Sequence, residues 1–151
     1  MKFTIPETLT REHEALHGRL NNALQVGGAV AAATQNLIDK LHPHFVREEE
    51  IAMPPLGLLV MLSHGEYYRE MDQVLAYTDA LAEELPRMLK EHEGIKAAVE
   101  QLRVAALEAG REDIAAFCDD LGAHARSEEE VLYPAALLVG DLVRWRSAKA
   151  A

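Results

Sequence analysis

One motif occurs twice in this chain, and it constrains the fold more than any other feature. The first copy starts at His44 and reads H-F-V-R-E-E-E-I-A-M-P, and the second starts at His124 and reads H-A-R-S-E-E-E-V-L-Y-P. Each copy is preceded by an E-H-E segment, centred on His13 in the first half and on His92 in the second. The chain therefore contains two copies of one unit, and each unit supplies a lone His followed by a His–Glu pair.

The spacing within this pair indicates a shared helix face. On an α-helix, residues four positions apart lie about 40° apart around the axis, on the same side. The pairs are His44 with Glu48 and His124 with Glu128. Imidazole and carboxylate groups that share one face, in both units, are typical of a metal site.

Length and composition exclude several classes of protein. The 151 residues suffice for one domain with its own core, and the formal net charge of -10 argues against a nucleic-acid or anionic-membrane surface. The single cysteine, Cys118, excludes an intramolecular disulfide and favours a reducing compartment. The N-terminal residues contain no apolar signal segment, and the longest apolar run, 56–62, is too short to cross a bilayer. We therefore expect a cytoplasmic protein with no nucleic-acid or membrane partner.

The abundance of Ala, Leu and Glu favours helices throughout. Thr4 and Glu7 form a capping-box pattern, Pro54 ends the second helix, and Pro86 suits the first turn of the third. A further capping pattern at Ser63 predicts an additional helix between the second and the third. The expected helices are about 4–28, 30–53, 64–84, 86–110 and 112 to beyond 134.

Apolar residues recur along the four main helices at alternating spacings of three and four, so each helix has one inward stripe. Every repeated His, and the first Glu of each E-E-E run, falls on such a stripe. The predicted inward positions are Leu9, His13, Leu16 and Leu20; Val30, Thr34, Leu37, Leu41, His44, Glu48 and Ile51; Leu85, Met88, His92, Ile95, Val99, Leu102 and Ala106; and Ile114, Phe117, Leu121, His124, Glu128, Val131 and Ala135.

Two carboxylates on these stripes require a compensating cation. Burying an unpaired carboxylate costs several kcal/mol, and the stripes carry no Lys or Arg that could pair with Glu48 or Glu128. A lone inward His is usually an ordinary core residue, but four matched ones are better explained as ligands. The other members of the acidic triplets point away from the stripe, so we expect them in solvent or just outside the ligand set; they are Glu49, Glu50, Glu129 and Glu130.

On these motifs the chain resembles the hemerythrin-like proteins of the HHE (His-His-Glu) cation-binding family. The resemblance covers nearly the whole chain. It implies an all-α, up-down-up-down four-helix bundle around a non-haem di-iron centre. The single domain, 1–151, would then consist of pseudo-repeats at about 5–54 and 86–134 and a helical insertion at about 56–85. The residues that match the family's ligands are His13, His44, Glu48, His92, His124 and Glu128.

The resemblance also implies how the metals are held. The two His residues of each unit would bind one iron, His13 with His44 and His92 with His124. The two Glu residues would bridge the irons together with an oxo or hydroxo group. Mixed imidazole and carboxylate ligands suit iron, with zinc and manganese as competitors. Ferritin-like sites instead use Glu-x-x-His at a spacing of three, which disfavours a ferritin-type oxidase.

The chain departs from the oxygen-carrying hemerythrins at two positions. Where those proteins have a further His on helix three and an Asp on helix four, this chain has Lys96 and Glu128. A His one turn after the first ligand occurs instead on helix one, as His17. If His17 is a fifth histidine ligand, the two irons are unequal and the poorer one has an open position. If it only lines the edge of the core, both irons could be open.

Two function classes, and a third without iron chemistry, remain open. The favoured one is a protein that binds or senses O2, NO or peroxide, or that handles iron under oxidative or nitrosative stress. The second is an enzyme with peroxidase-like or NO-reducing turnover, although the sequence indicates no catalytic residue beyond the ligands. The third is a bundle stabilised by zinc. The insertion could cover one end of the bundle or form the face of a homodimer.

Overall fold

The computed structural model describes all 151 residues, which form helices joined by turns and contain no strand. The α-helices are α1 (Glu7–Leu24), α2 (Gly28–Arg47), α3 (Leu59–Ser63), α4 (Leu75–Glu108), α5 (Glu112–Ser127) and α6 (Tyr133–Ala150). Four of them form the bundle: α1 packs on α2, α2 on α4, α4 on α5, and α5 on α1. The predicted all-α four-helix bundle is confirmed. None of the helices combines the length and the apolar composition needed to cross a bilayer.

The two copies of the motif share an unusual backbone feature. Directly after α2 and α5, the helix widens into single π-helical turns, Glu48–Ala52 and Glu128–Leu132. In these turns the N–H of Met53 donates to the carbonyl of Glu48, and the N–H of Tyr133 donates to that of Glu128, five residues back. Such turns occur often at functional sites. Here each begins at a predicted metal-binding Glu.

The extra residue of the second π turn changes which side chains face inwards. The sequence predicts Val131 and Ala135 on the inner face, but Val131 is exposed and Ala135 is only half-buried. Tyr133 and Ala136 are buried in their place. Because the turn advances by five residues, the next inward position after Glu128 is Tyr133. The predicted inward positions before the π turns are correct, with Leu9 and Leu85 half-buried and the others buried.

Several predicted boundaries are wrong. The expected capping box at Thr4 does not form, since α1 begins after Pro6 without a side-chain cap. The segment after Pro54 continues as a 3-10 turn, Pro54–Leu58, followed by α3. The capping pattern at Ser63 does not start a helix either, because α3 ends there and Gly65 adopts a positive φ of 81° in a tight turn.

The insertion also takes a different form from the one expected. A separate helix over 64–84 is absent; a 3-10 turn, Arg69–Val74, leads directly into α4. Pro86 lies inside α4 and does not begin it. A proline inside a helix costs about 3 kcal/mol. On either side of it, however, Leu81 and Met88 are fully buried, and each buried side chain of this size contributes about 1.5–3 kcal/mol.

The core consists of separate apolar clusters along the bundle. The largest lies towards the short turns that join α1 to α2 and α4 to α5, and it includes Leu16, Leu41, Ile95 and Leu121. A second cluster includes Ile51, Leu81, Met88 and Tyr133, and a third lies between α6 and the insertion. In each main helix the buried His lies between residues of the first cluster and residues packed in the second. The polar residues therefore form a layer between two apolar regions.

Candidate metal centre

Each of the four main helices contributes one His to this buried layer. The π turns add Glu48 and Glu128, and none of the six residues is more than 6 % exposed. No Lys or Arg is buried anywhere in the chain. The sequence predicted that these six residues face the core, and the structure brings all of them together. They are His13 on α1, His44 and Glu48 at the end of α2, His92 on α4, and His124 and Glu128 at the end of α5.

The first set of ligand-type atoms, here called the His44–His92 group, contains His44, Glu48, His92 and Glu128. One nitrogen or oxygen from each lies within 4.8 Å of all the others. The Nε2 atoms of His44 and His92 are 2.8 Å apart, and Glu48 Oε1 lies 2.9 Å from His44 Nε2. Glu128 Oε1 lies 3.6 Å from His92 Nε2.

The second set, the His13–His124 group, contains His13, His124 and Glu128. Glu128 Oε1 lies 3.4 Å from His124 Nε2, and Glu48 Oε2 lies 3.5 Å from His13 Nε2. Each carboxylate therefore lies between the two groups and contacts a His of both. This is the position that a bridging carboxylate would occupy.

The grouping of the His residues differs from the one that the resemblance implied. The expected pairs are His13 with His44 and His92 with His124. The structure pairs His44 with His92 and His13 with His124, so each pair combines one His from each repeat. Each pair is formed by helices that are neighbours in the bundle, since α2 packs on α4 and α1 packs on α5.

The outward nitrogen of every His in the layer meets a glutamate from another helix. The Nδ1 atoms of His13 and His92 lie 3.0 and 2.8 Å from Glu49 and Glu129, which follow the core Glu residues. The other two partners come from the E-H-E segments. They are Glu91, 3.0 Å from Nδ1 of His44, and Glu12, 2.7 Å from Nδ1 of His124.

These contacts set the protonation of the imidazole rings. An ionised carboxylate only accepts hydrogen bonds, so each Nδ1 donates and the Nε2 of a neutral ring presents its lone pair to the centre. Two such lone pairs face each other at 2.8 Å between His44 and His92. A proton or a cation must lie between them. Such outer hydrogen bonds orient metal-binding His residues in many proteins.

Sequence reasoning left these outer glutamates without a specific role. Glu49 and Glu129 were expected in solvent or just outside the ligand set, and they lie just outside it. Glu50 is exposed and pairs with Arg47, and Glu130 is exposed. The roles of Glu12 and Glu91 were missed, although the repeated E-H-E segments carry the signal: the same Glu precedes a core His in both units.

The two core carboxylates have opposite proton affinities. Burial opposes a charge on Glu48, but hydrogen bonds from Glu128, His44 and His92 outweigh it and hold the pKa of Glu48 well below its usual range. Burial and the adjacent Glu48 raise the pKa of Glu128 well above its usual range. Burial also acts against a charge on His44, yet Glu48 and Glu91 raise its pKa. Without a cation, the centre therefore retains protons.

Four buried atoms have no hydrogen-bond partner: His13 Nε2, His124 Nε2, Glu48 Oε2 and Glu128 Oε2. Leaving a buried polar atom unpaired costs about 1–3 kcal/mol. All four atoms are nitrogen and oxygen lone-pair donors on residues of one cluster, and a cation between them would satisfy them together. The donor set, four imidazoles and two carboxylates, therefore fits a pair of transition-metal ions.

A tyrosine that the sequence reasoning did not single out also reaches the centre. The hydroxyl of Tyr133 donates to Glu48 Oε1 and lies 3.2 Å from His92 Nε2 and 3.4 Å from His44 Nε2. Burial and the charges of Glu48 and Glu128 raise the pKa of Tyr133 far above its ordinary value. The residue therefore remains a protonated phenol and a hydrogen-bond donor.

Two other residues of interest lie outside the cluster. His17 belongs to neither group; its ring packs edge-on against Phe45, which stacks on His13 at 4.1 Å between ring centroids. The aromatic ring thus occupies the space that separates His17 from the ligand-type atoms. Cys118 is buried in the largest apolar cluster, where burial raises the pKa of its thiol to about 11. The thiol therefore packs in the apolar core and does not contact the cluster of His and Glu residues.

The family model described as the hemerythrin HHE cation binding domain matches residues 4–136 of this chain. The matched range contains all six clustered His and Glu residues, their four outer glutamates and Tyr133. Comparison with curated proteins and with solved structures gives no match.

Proposed function

The chain belongs to the hemerythrin HHE cation-binding family, and on that premise we propose that it is a non-haem di-iron protein that binds or senses O2, NO or peroxide, or handles iron under oxidative or nitrosative stress. The observation that carries the proposal is the shared carboxylate: Glu128 belongs to both groups of ligand-type atoms. A pair of iron ions bound there would supply reversible ligand binding or electron transfer to a small oxidant.

Each residue of the centre has a definite task in this proposal. His44 and His92 would hold one ion, and His13 and His124 the other. Glu48 and Glu128 would contribute negative charge to both, which offsets the repulsion between two cations. The outer glutamates keep each Nε2 lone pair directed inwards, and the apolar clusters on both sides limit the access of water.

The choice of iron rests on the ligand chemistry. Thiolate is absent from the cluster, and imidazole and carboxylate occur together, which suits iron better than calcium or magnesium. Zinc and manganese accept the same ligands. We also propose a cytoplasmic location, which the cysteine content favours. There the protein would be exposed to the cellular pool of divalent iron.

Elemental analysis of the purified protein, with its absorption spectrum, tests metal binding. We expect close to two transition-metal ions per chain, and near-ultraviolet absorption from a coupled ferric pair, which zinc cannot give. The matched variants are His44→Ala and His42→Ala, since His44 is buried in the centre and His42 is exposed on the same helix. His44→Ala should lose metal and His42→Ala should retain it. A folded, stable protein without any bound metal would refute the proposal.

Rapid mixing separates binding from turnover. The diferrous protein would be mixed anaerobically with measured amounts of O2, NO or peroxide. A binding or sensing protein consumes about one equivalent per centre and gives a stable spectral change. Continued consumption in the presence of a reductant would instead support the peroxidase-like or NO-reducing alternative. Gel filtration at several concentrations would test whether the protein forms a homodimer.

A further inference from the structure

We propose that Tyr133 is a positioning residue of the metal centre and makes its two halves unequal. This inference rests on the proposed function, because it assumes that both His–Glu groups bind metal. In the duplicated motif, the residue equivalent to Tyr133 is Met53. Both side chains are buried. Only the second repeat, however, supplies a hydroxyl at this position.

The contacts of Tyr133 involve one group of ligand-type atoms. Its hydroxyl lies within 3.4 Å of Nε2 of both His44 and His92, and it donates to Glu48 Oε1. It makes no hydrogen bond to His13 or His124. Three of the four residues in the His44–His92 group are therefore within reach of this single hydroxyl.

The π turn explains why Tyr133 reaches the centre. An α-helical turn after Glu128 would bring Leu132 to the inner face, whereas the five-residue turn brings Tyr133 there. The same turn after Glu48 brings Met53 inwards. A thioether is a weak acceptor and has no proton to donate. The two repeats thus share their backbone geometry and differ in the side chain that the π turn directs towards the centre.

The hydroxyl distinguishes the two oxygens of Glu48. Oε1 accepts from Tyr133 and lies 2.9 Å from His44 Nε2, while Oε2 lies 3.5 Å from His13 Nε2 and has no hydrogen-bond partner. Tyr133 therefore fixes which oxygen serves which group. No hydroxyl donates to Glu128. Loss of the tyrosine hydroxyl should weaken the His44–His92 group and leave the His13–His124 group nearly unchanged.

Two single-group backgrounds make the test specific. His124→Ala leaves the His44–His92 group intact, and His92→Ala leaves the His13–His124 group. In each background, the affinity for Zn²⁺ would be measured by competition with a chelator, with and without Tyr133→Phe. We expect Tyr133→Phe to lower the affinity about 10- to 100-fold in the His124→Ala background, as for other outer partners of metal ligands. In the His92→Ala background, the change should stay within about twofold, the scatter of independent sites.

The control is Tyr67→Phe in the same backgrounds. The hydroxyl of Tyr67 also donates to a carboxylate, Asp72 Oδ1 at 2.8 Å, but outside the metal centre. It should leave both Zn²⁺ affinities unchanged. Circular dichroism and thermal unfolding of the metal-free variants would show that each is folded.

Three results would overturn the inference. Equal losses in both backgrounds would mean that Tyr133 acts only through general packing. No loss in either would mean that its hydrogen bond does not position Glu48. With Fe³⁺ bound, a visible phenolate-to-iron band that disappears in Tyr133→Phe would show that Tyr133 is itself a ligand. If the wild-type protein binds neither Zn²⁺ nor Fe²⁺, the proposed function is refuted as well. If the wild-type protein binds metal and Tyr133→Phe has the same Zn²⁺ affinity, only the inference is refuted.

Discussion

Substitution of Glu129 tests whether a hydrogen bond between helices supports metal binding, in addition to the residues that face the core on their own helix. Counted along the helix from His124, Glu129 points away from the apolar stripe, so the sequence predicts that Glu129→Gln leaves metal binding unchanged. In the structure, however, Glu129 Oε1 accepts a hydrogen bond from His92 Nδ1 at 2.8 Å. The two residues come from neighbouring helices. Glu129→Gln should therefore weaken metal binding.

The size of the effect follows from the kind of hydrogen bond that is lost. A hydrogen bond to a charged group contributes about 1.5–3 kcal/mol, which corresponds to a factor of about 10 to 150. Glutamine keeps a neutral acceptor oxygen, and the Glu129 side chain is 27 % exposed, so solvent screens part of its charge. Both effects favour the lower limit. We expect a loss of about tenfold in affinity, or about 1.4 kcal/mol.

Chelator competition with Zn²⁺ would measure this loss, and Glu130→Gln provides the control. Glu130 is the next residue, carries the same charge and is exposed. Its substitution should leave the affinity unchanged. The contact between Lys96 and Glu129, 3.4 Å, lies at the surface and adds little. Equal affinities for Glu129→Gln and wild type, or equal losses for both variants, would refute the role assigned to Glu129.

Three further predictions concern other residues of the centre. Glu128→Gln removes a carboxylate common to both groups, so elemental analysis should show the loss of at least one metal ion, with circular dichroism unchanged. His17→Ala should retain the metal and its near-ultraviolet spectrum, since His17 packs on Phe45; a changed spectrum would make it a ligand. In the metal-free protein, folding raises the pKa of Glu128 above the usual 4.5, so the stabilising protonated state is fully populated below that pH and is lost as the pH rises through the raised pKa. Urea unfolding in the presence of a chelator should show the free energy of unfolding falling by up to about 1.4 kcal/mol per pH unit over that range. The control is Glu128→Gln, compared below pH 6.5, where His44 does not yet contribute to the pH dependence. If Glu128→Gln keeps the same slope there, Glu128 is not its cause.

The sequence predicts the ligand-type residues well because periodicity determines which side chains face the core. All six predicted His and Glu positions are buried and lie in helical segments, although several boundaries of these segments differ from those expected. The pairing of His44 with His92 could not be obtained in the same way. Each of these helices packs on two others, so which His residues meet depends on how the side chains are arranged between all four helices.

Two local deviations from regular geometry explain the remaining errors. The π turn at Glu128 adds a residue to one helical turn. The alternating spacing of three and four therefore predicts that Val131 faces the core, whereas the structure buries Tyr133 there. Pro86 indicates a helix start, but buried residues on both sides keep α4 continuous through it. In both cases tertiary packing outweighs the local preference of the backbone.

The π turns also show how one duplicated motif can give two different half-centres. Each turn begins at a core Glu and directs the residue five positions later back towards the layer of His residues. In the proposed function the Glu is needed in both repeats, because two carboxylates would offset the charge of a cation pair. The later residue is not bound by that requirement, and here it is Met53 in one repeat and Tyr133 in the other. A change at this single position alters the hydrogen bonding of the His44–His92 group without changing any of the six ligand-type residues. The chemistry of the two proposed metal sites could therefore diverge while the fold and the charge balance of the centre stay the same.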